Sequence, residues 1–317
     1  MSLLVNVLKG VAVGLANIIP GVSGGTMLLV LGIYERVIKA LRNLGPRTVT
    51  AVFRGWGAVR EELGRIDAVF LTALALGAVG AIWAVAKGML YLLEQQHDPT
   101  YGFFFGLVLV SVIVPFRMVR RHDLGTALAA LVGIAAVVAL TIALPGEQRL
   151  EAAREKQKIE VAKLRAELEG GAQPKTALAV DTGKMALFAS AGAVAVAAMI
   201  LPGISGSFML LMMGVYFDVL LAINTFNLPL LGVLMLGCVL GLLVFTRLLN
   251  FLLERFHDAT MAFLGGLVLG SLWAIWPFKD FKLVQPVRVG TELVAGQRVD
   301  LYNVMPASFG FNEVLTA

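Results

Sequence analysis

With one cysteine, Cys238, and three histidines in 317 residues, the chain has no material for a disulfide framework or a Cys/His metal cluster. Cys238 lies inside an apolar run and reads as a small buried hydrophobe. Charge is equally scarce. Only 15% of the residues are Asp, Glu, Lys or Arg, against 58% hydrophobic, with a mean hydropathy of +0.84; a soluble domain carries about 25% charged residues. These shortages exclude an ordinary soluble domain and point to a polytopic membrane protein. The net charge of +5 makes no case for nucleic acid, because loop Lys and Arg serve membrane topology. Met1 to Ile19 has a single Lys at position 9 and no small-residue cleavage pattern, so no cleavable signal peptide is expected. No cofactor or metal motif is present in the sequence.

Apolar runs near the length of about 20 residues that crosses a bilayer core occur at 68–93, 101–119, 124–145, 229–253 and 259–277. Two further apolar stretches are interrupted. Ile19-Pro20-Gly21-Val22-Ser23-Gly24-Gly25-Thr26 breaks the first, and Leu201-Pro202-Gly203-Ile204-Ser205-Gly206-Ser207-Phe208 breaks the second. From Pro20 to Tyr34 and from Pro202 to Tyr216 the two copies share Pro, Gly, Ser, Gly, Met, Leu, Leu, Gly and Tyr at matching positions. Pro and Gly inside a helix cost several kcal/mol between them, and paired broken helices in corresponding places mark transport sites.

A second matched pair runs from Leu92-Leu93-Glu94 through His97-Asp98 and Thr100 to Gly106-Leu107-Val108-Leu109, and from Leu252-Leu253-Glu254 through His257-Asp258 and Thr260 to Gly266-Leu267-Val268-Leu269. The offset is 182 for the breaks and 160 for this pair, so the first copy carries 22 more residues between them. They belong to a basic stretch, Arg36 to Arg65, expected on the cytoplasmic side by the positive-inside rule. Its counterpart, Asp218 to Leu228, has no Lys or Arg. If each broken segment dips in and returns, every half crosses an odd number of times and the second lies inverted relative to the first. Arg117, Arg120 and Arg121 mark another inside loop; Lys279 and Lys282 fall on the expected outside, against the rule.

Between the halves, Glu147 to Glu169 holds six acidic and six basic residues, with Leu150, Ala153, Val161, Leu164 and Leu168 at helical spacing. It reads as a solvated amphipathic helix ended by Gly170-Gly171 and Pro174. The expected fold is an all-α polytopic membrane protein with two inverted repeats, each holding a re-entrant broken helix, and an extramembrane amphipathic helix between them. The divisions are 1–146 for the first repeat, 147–183 for the linker and 184–317 for the second repeat. The span Leu124 to Leu144 has no counterpart after Phe278, so either the second half has lost its last crossing or the chain is a truncated form.

At each break, Pro removes a backbone donor, Gly accepts unusual dihedrals, and Ser23 or Ser205 is placed to cap a new helix. The first amides of that helix carry the positive end of its dipole and suit an anion. Gly24, Gly25 and Gly206 leave the approach unblocked, and the hydroxyls of Ser23, Thr26, Ser205 and Ser207 add donors, so the pair is a candidate phosphate or carboxylate cradle. Close packing of small residues is the plainer alternative. Glu35 and Asp218 lie at the far ends of the broken helices as candidate proton carriers, or as interfacial charges. Arg117 is a candidate lipid-phosphate contact or a snorkelling anchor. His97-Asp98 and His257-Asp258 sit at helix junctions, where an Asp N-cap is the simplest reading.

Lys9-Gly10, Gly14, Ala16-Asn17, Pro20 to Thr26 and Gly32-Ile33-Tyr34-Glu35, with Gly106 to Leu109 and Pro202 to Gly206, resemble the polyprenyl-phosphate (undecaprenyl-phosphate) translocase family, formerly a domain of unknown function. The resemblance implies translocation of undecaprenyl phosphate across the cytoplasmic (inner) membrane of a prokaryote, a flippase activity that recycles the lipid carrier for cell-envelope synthesis. The implied partners are the polyprenyl-phosphate lipid and the bilayer; a homo-oligomer is left open. Position 17 is Asn where that family commonly has Asp. Two alternatives stay open. A membrane polyprenyl-diphosphate phosphatase would share the plan, but its motif carries Arg directly after the Ser, where this chain has Gly24 and Gly206. A small-anion transporter would share the helix-end chemistry.

Overall fold

The computed structural model describes residues 2–18, 23–143, 145–168, 180–294 and 296–305. Pro20 and Gly21 of the first break, and Gly170, Gly171 and Pro174 after the linker helix, lie outside the described residues. The chain is mostly helical. It opens with α1 (Leu3–Ile18), α2 (Gly24–Val30) and α3 (Tyr34–Arg42), continues with the short pair α4 (Pro46–Phe53) and α5 (Trp56–Arg65), and then runs through α6 (Ala68–Gln95), α7 (His97–Ser111), α8 (Ile113–Met118) and α9 (Leu124–Ala143). After α10 (Gly146–Leu168) come α11 (Thr182–Ile200), α12 (Gly206–Met212), α13 (Tyr216–Asn224), α14 (Leu228–Arg255) and α15 (His257–Ala274).

The order α1, α2, α3, α6, α7 recurs as α11, α12, α13, α14, α15, with α4 and α5 accounting for the extra residues of the first copy. The recurrence extends to backbone detail. Gly32 and Gly214 both turn the chain with positive φ, +64° and +71°, which suits a residue without Cβ. Each turn is closed by the same bond, Ile33 N to Leu28 O and Val215 N to Leu210 O, both 3.0 Å. Helices α6 and α14 are each 28 residues long, and the linking residues Gln96 and Phe256 share a φ of −130°.

Among the described residues, five helical segments are long and apolar enough to cross a membrane: Ala68–Val85 within α6, α7 together with α8, α9, α11 and α14. The pair α12 and α13 meets the same standard as one unit bent by 110°. Helix α15 is less apolar and is enclosed by its neighbours, with eleven of its residues buried. Glycine makes the close crossings. A Cβ on Gly10 or Gly14 of α1 would strike the backbone of α6 at Leu74 and Ala78, and one on Gly192 of α11 would strike α14 at Leu234. Gly133 of α9 and Gly266 of α15 meet backbone at Phe263 and Ala130 in the same way.

Ion pairs sort the helix ends into two groups. One joins Arg36 to Asp67 at 2.7 Å and Arg42 to Glu254 at 2.8 Å, with α4 and α5 alongside. The other joins Lys184 to Asp218 at 3.0 Å and lies beside α10. Helix α6 starts at the first group and ends at the second, roughly 42 Å away at 1.5 Å per residue.

The all-α expectation did not foresee the strands after Phe278. β1 (Lys279–Val284) pairs antiparallel with β4 (Gln297–Asn303), and β2 (Val287–Val289) with β3 (Glu292–Val294). Val284, Val289, Val294 and Val299 turn inward, and Val284 and Val299 pack on Leu150 and Ala153 of α10. The hairpin thus covers the start of the apolar stripe read along the linker helix, while Val161 and Leu164 are half-buried and Leu168 is exposed.

Two expectations follow. Gly266→Leu should reduce thermal stability by about 1–3 kcal/mol or prevent assembly, because it drives a side chain into the α9 backbone; Gly106→Leu, at the matching position of α7 where no atom lies within 4 Å of an added Cβ, should leave the melting temperature nearly unchanged. Buried Glu62 accepts hydrogen bonds from Arg65 and Thr48 that hold its carboxyl down at about 2 against an ordinary 4.5. The stability it contributes is complete above pH 4.5 and is lost as the pH falls towards 2, so hydrogen exchange over 46–65 should rise across that interval, and Thr48→Val should bring the rise to higher pH.

Candidate functional site

The first break ends at Ser23, whose extended backbone (φ −108°, ψ 152°) and side chain cap α2. Its Oγ accepts from Thr26 N at 3.3 Å, and the Thr26 hydroxyl lies 3.3 Å away. The same Oγ accepts from Gly203 N of the second break at 3.0 Å and donates to Leu201 O at 3.4 Å. Tyr34, fully buried at the start of α3, donates its hydroxyl to Ile200 O at 3.3 Å. Three backbone groups at the second break, Ile200 O, Leu201 O and Gly203 N, are therefore satisfied by side chains of the first copy. The two motifs, 182 residues apart in sequence, touch.

The glycines explain how close that contact is. A Cβ on Gly25 would come within 2.7 Å of Ile200 O and 3.1 Å of Pro202 N, so the second break crosses directly over the start of α2. Gly24 faces Asn17: its amide donates to Asn17 Oδ1 at 3.0 Å, and Asn17 Nδ2 donates to Val13 O at 3.1 Å. A neutral amide fills the acceptor role at position 17 while also donating. Gly203 has φ +78° and sits against Leu267 O, two independent reasons for glycine.

The second copy is arranged differently. Ser205 has an extended backbone but makes no cap bond; its hydroxyl lies 2.9 Å from that of Ser207, and both serines are exposed. Gly206 is buried, its Cα facing Ala195 O and Met199. Of the sequence-derived candidates, Ser23, Gly24, Gly25 and Thr26 are thus brought together with the second break and enclosed, while Ser205 and Ser207 remain open. Arg117 is exposed on α8, which packs against α2. Glu35 and Asp218 lie in the two separate end groups, Glu35 against His257 at 3.1 Å and Asp218 against Lys184 at 3.0 Å. Asp98 and Asp258 make no N-cap bonds; Asp258 instead accepts from the amides of Arg120 and Arg121 at 3.1 and 3.0 Å. Sequence reasoning did not assign roles to Tyr34 and Asn17. The repetition of Tyr34 as Tyr216 and the seven-residue step from Asn17 to Gly24, which brings a helix's last turn beside the next helix's first, were the available signals.

The family model described as "VCA0040-like: Undecaprenyl phosphate translocase-like" matches residues 13–292. The chain belongs to this translocase-like family. Among the relatives of this translocase-like chain is a protein of Vibrio cholerae serotype O1 named "Polyprenyl-phosphate transporter", 35% identical over 280 residues, covering 88% of this chain and 80% of that one. A Staphylococcus aureus protein of the same name is 30% identical over 285 residues, covering 86% of each. No solved structure matches the chain.

For this translocase-like protein the two serines should separate in a stability measurement. Ser23→Ala removes a helix cap and the bond to Gly203, and should cost about 1–2 kcal/mol. Ser205→Ala removes neither and should stay within about 0.5 kcal/mol of the parent. Thermal unfolding in detergent, followed by light scattering and circular dichroism, reads both.

Proposed function

We propose that this protein carries a polyprenyl phosphate, of the undecaprenyl phosphate class, across the cytoplasmic membrane of a bacterium, with the head group held by the paired helix breaks and the prenyl tail left in lipid. The names of its relatives supply the substrate class. The observation that supports the site assignment is the meeting of the two breaks; on this reading they form a polar slot at membrane depth, where irregular backbone survives only against protein or a cavity. Dragging an unaccompanied phosphate through hydrocarbon costs many kcal/mol, and the slot lowers that cost with neutral donors.

In this reading Ser205, Gly206 and Ser207 meet the phosphate first, and Ser23, Gly24, Gly25 and Thr26 become available when the second break lifts away from α2. Arg117 serves the cytoplasmic end. Glu35 and Asp218 are the carboxylates that couple the cycle to protons. The repeats are inverted and the breaks re-entrant. In support, α6 runs from the basic end group to the hairpin end and α14 runs back from the Asp218 end to the Arg42 end. Lys279, the exception to the charge rule, is buried beside Asp300 at 3.5 Å, so its charge is compensated locally. Hydrolysis is the weaker reading: neither Gly24 nor Gly206 offers the guanidinium that would clamp a diphosphate, and neither break contains an acid to act as base.

Purified protein in liposomes should accelerate the appearance of labelled undecaprenyl phosphate in the opposite leaflet, and the double variant Ser205→Ala, Ser207→Ala should slow it by about tenfold, the size of one lost hydrogen bond to a charged group. No acceleration over empty liposomes defeats the transport reading. Release of phosphate from undecaprenyl diphosphate would instead favour the hydrolase, and full competition by inorganic phosphate would favour a small-anion carrier.

A further inference from the structure

Two of the three histidines occupy matching positions, 160 residues apart, and each stands between two carboxylates. His257 Nδ1 lies 3.2 Å from Asp258 Oδ1, and its Nε2 lies 3.1 Å from Glu35 Oε1 on α3. His97 Nδ1 lies 2.8 Å from Asp98 Oδ1, and its Nε2 lies 3.5 Å from Asp300 Oδ2 on β4. In each case one carboxylate is the histidine's own neighbour at the start of its helix, and the other comes from the opposite half of the chain. The two clusters sit in the two end groups, on opposite sides of the helical layer.

The partners are not related by the repeat. Position 217, which matches Glu35, is Phe217, so α13 offers His97 no equivalent carboxylate. Asp300 of the hairpin stands in its place. Several contacts fix it there: Lys279 Nζ at 3.5 Å, Arg298 Nε at 3.1 Å and, through Arg298 Nη1, Asp98 at 3.4 Å. Tyr101 stacks on the His97 ring with centroids 4.3 Å apart, and Arg149 of α10 adds a further positive charge near Asp300. Burial opposes ionisation of Asp300, but the bond from His97 and the charges of Lys279 and Arg298 outweigh it and hold the carboxyl at about 2. The groups facing His257 are Glu35 on α3, Asp258 on α15 and the Arg120 and Arg121 backbone that holds Asp258. The side chains of α6 at 93–95 lie outside the described residues.

We propose that His97 and His257 are matched proton-operated latches, one at each end of the molecule, and that the C-terminal hairpin acts as the strap that completes the outer one. The chemistry follows from the imidazole. A neutral ring has one N–H and can satisfy one carboxylate while its lone pair faces the other; the imidazolium donates to both. Proton uptake therefore tightens a latch, and proton loss loosens β4 on α7 at one end, where the Arg298–Asp98 pair remains, or α3 on α15 at the other. On the transport reading, on which this inference rests, the two latches bias which side of the slot is open, each sensing the pH of the compartment it faces. The outer latch is the more enclosed, with side-chain exposures of 9% for His97 and 15% for Asp300 against 23% for His257 and 49% for Glu35, so its bond is less screened by water.

Hydrogen exchange on the purified full chain in nanodiscs, at about pH 5.5 and about pH 8.5 around the histidine range and corrected for intrinsic rates, tests this without substrate. Peptides over 297–303 and over 34–42 should exchange more slowly at the acid pH, by about tenfold at the outer end, the size of one charge-assisted hydrogen bond. His97→Gln should abolish the difference over 297–303 alone, and His257→Gln over 34–42 alone. Asp300→Asn should reproduce the His97→Gln result if that variant assembles poorly. Equal protection at both pH values in the parent, or a difference that survives the glutamines, overturns the proposal. Because exchange is read without lipid phosphate, latches that respond in a protein that moves no undecaprenyl phosphate would leave this inference standing while the transport reading fell.

Discussion

A helix broken at membrane depth exposes amides and carbonyls that water cannot reach, and each left unmet costs several kcal/mol. The rest of this architecture depends on how those groups are met. Ser23 satisfies its own helix through Thr26 N and the other copy through Gly203 N and Leu201 O, while Tyr34 takes Ile200 O. The second break is not self-sufficient. A hydroxyl that serves both sides ties the two halves together at their weakest points, and does so with a group that can exchange one partner for another at little cost.

Close approach also shapes the composition of the helices around the breaks. Backbones that cross this closely require glycine at the crossing, and Gly10, Gly77, Gly192 and Gly237 sit where any side chain would meet a carbonyl. The two copies then diverge at the breaks. Ser23 to Thr26 are enclosed, with Thr26 only 2% exposed, whereas Ser205 and Ser207 stand open. The pair of breaks thus has a tight member and a loose one.

Much of this was legible in the sequence because duplication converts weak local signals into strong paired ones. The helix spans at 68–93, 124–145 and 229–253 lie within α6, α9 and α14 to within two residues at the described ends, since uninterrupted apolar runs of that length have one solution in lipid. The capping role of Ser23 followed from its place after Pro-Gly. The role of Ser205 did not: it has the same neighbours in sequence, but the partner that would use it differs in space. Gly24 and Gly25 were read as room for a ligand, yet in this conformation that room is taken by Asn17 and the Leu201–Pro202 backbone, a contact that only the tertiary structure reveals. The strands after Phe278 went unread because the residues they bury, Val284, Val289, Val294 and Val299, are five apart rather than two. Nested hairpins wrapping a helix do not show the simple alternation of a flat strand.

The packing of α9 on α15 has a bearing on how the molecule is made. Helix α9 buries its small-residue face, Ala130 and Gly133, against a helix that begins about 110 residues later in the chain. At the usual pace of synthesis of 5–20 residues per second, that face waits on the order of ten seconds in the bilayer before its partner is inserted. A surface of Ala and Gly loses little by lying against lipid in the meantime, whereas a polar or deeply notched face would invite the wrong neighbour. The plainness of α9 is thus suited to an interval during biogenesis as much as to the finished fold.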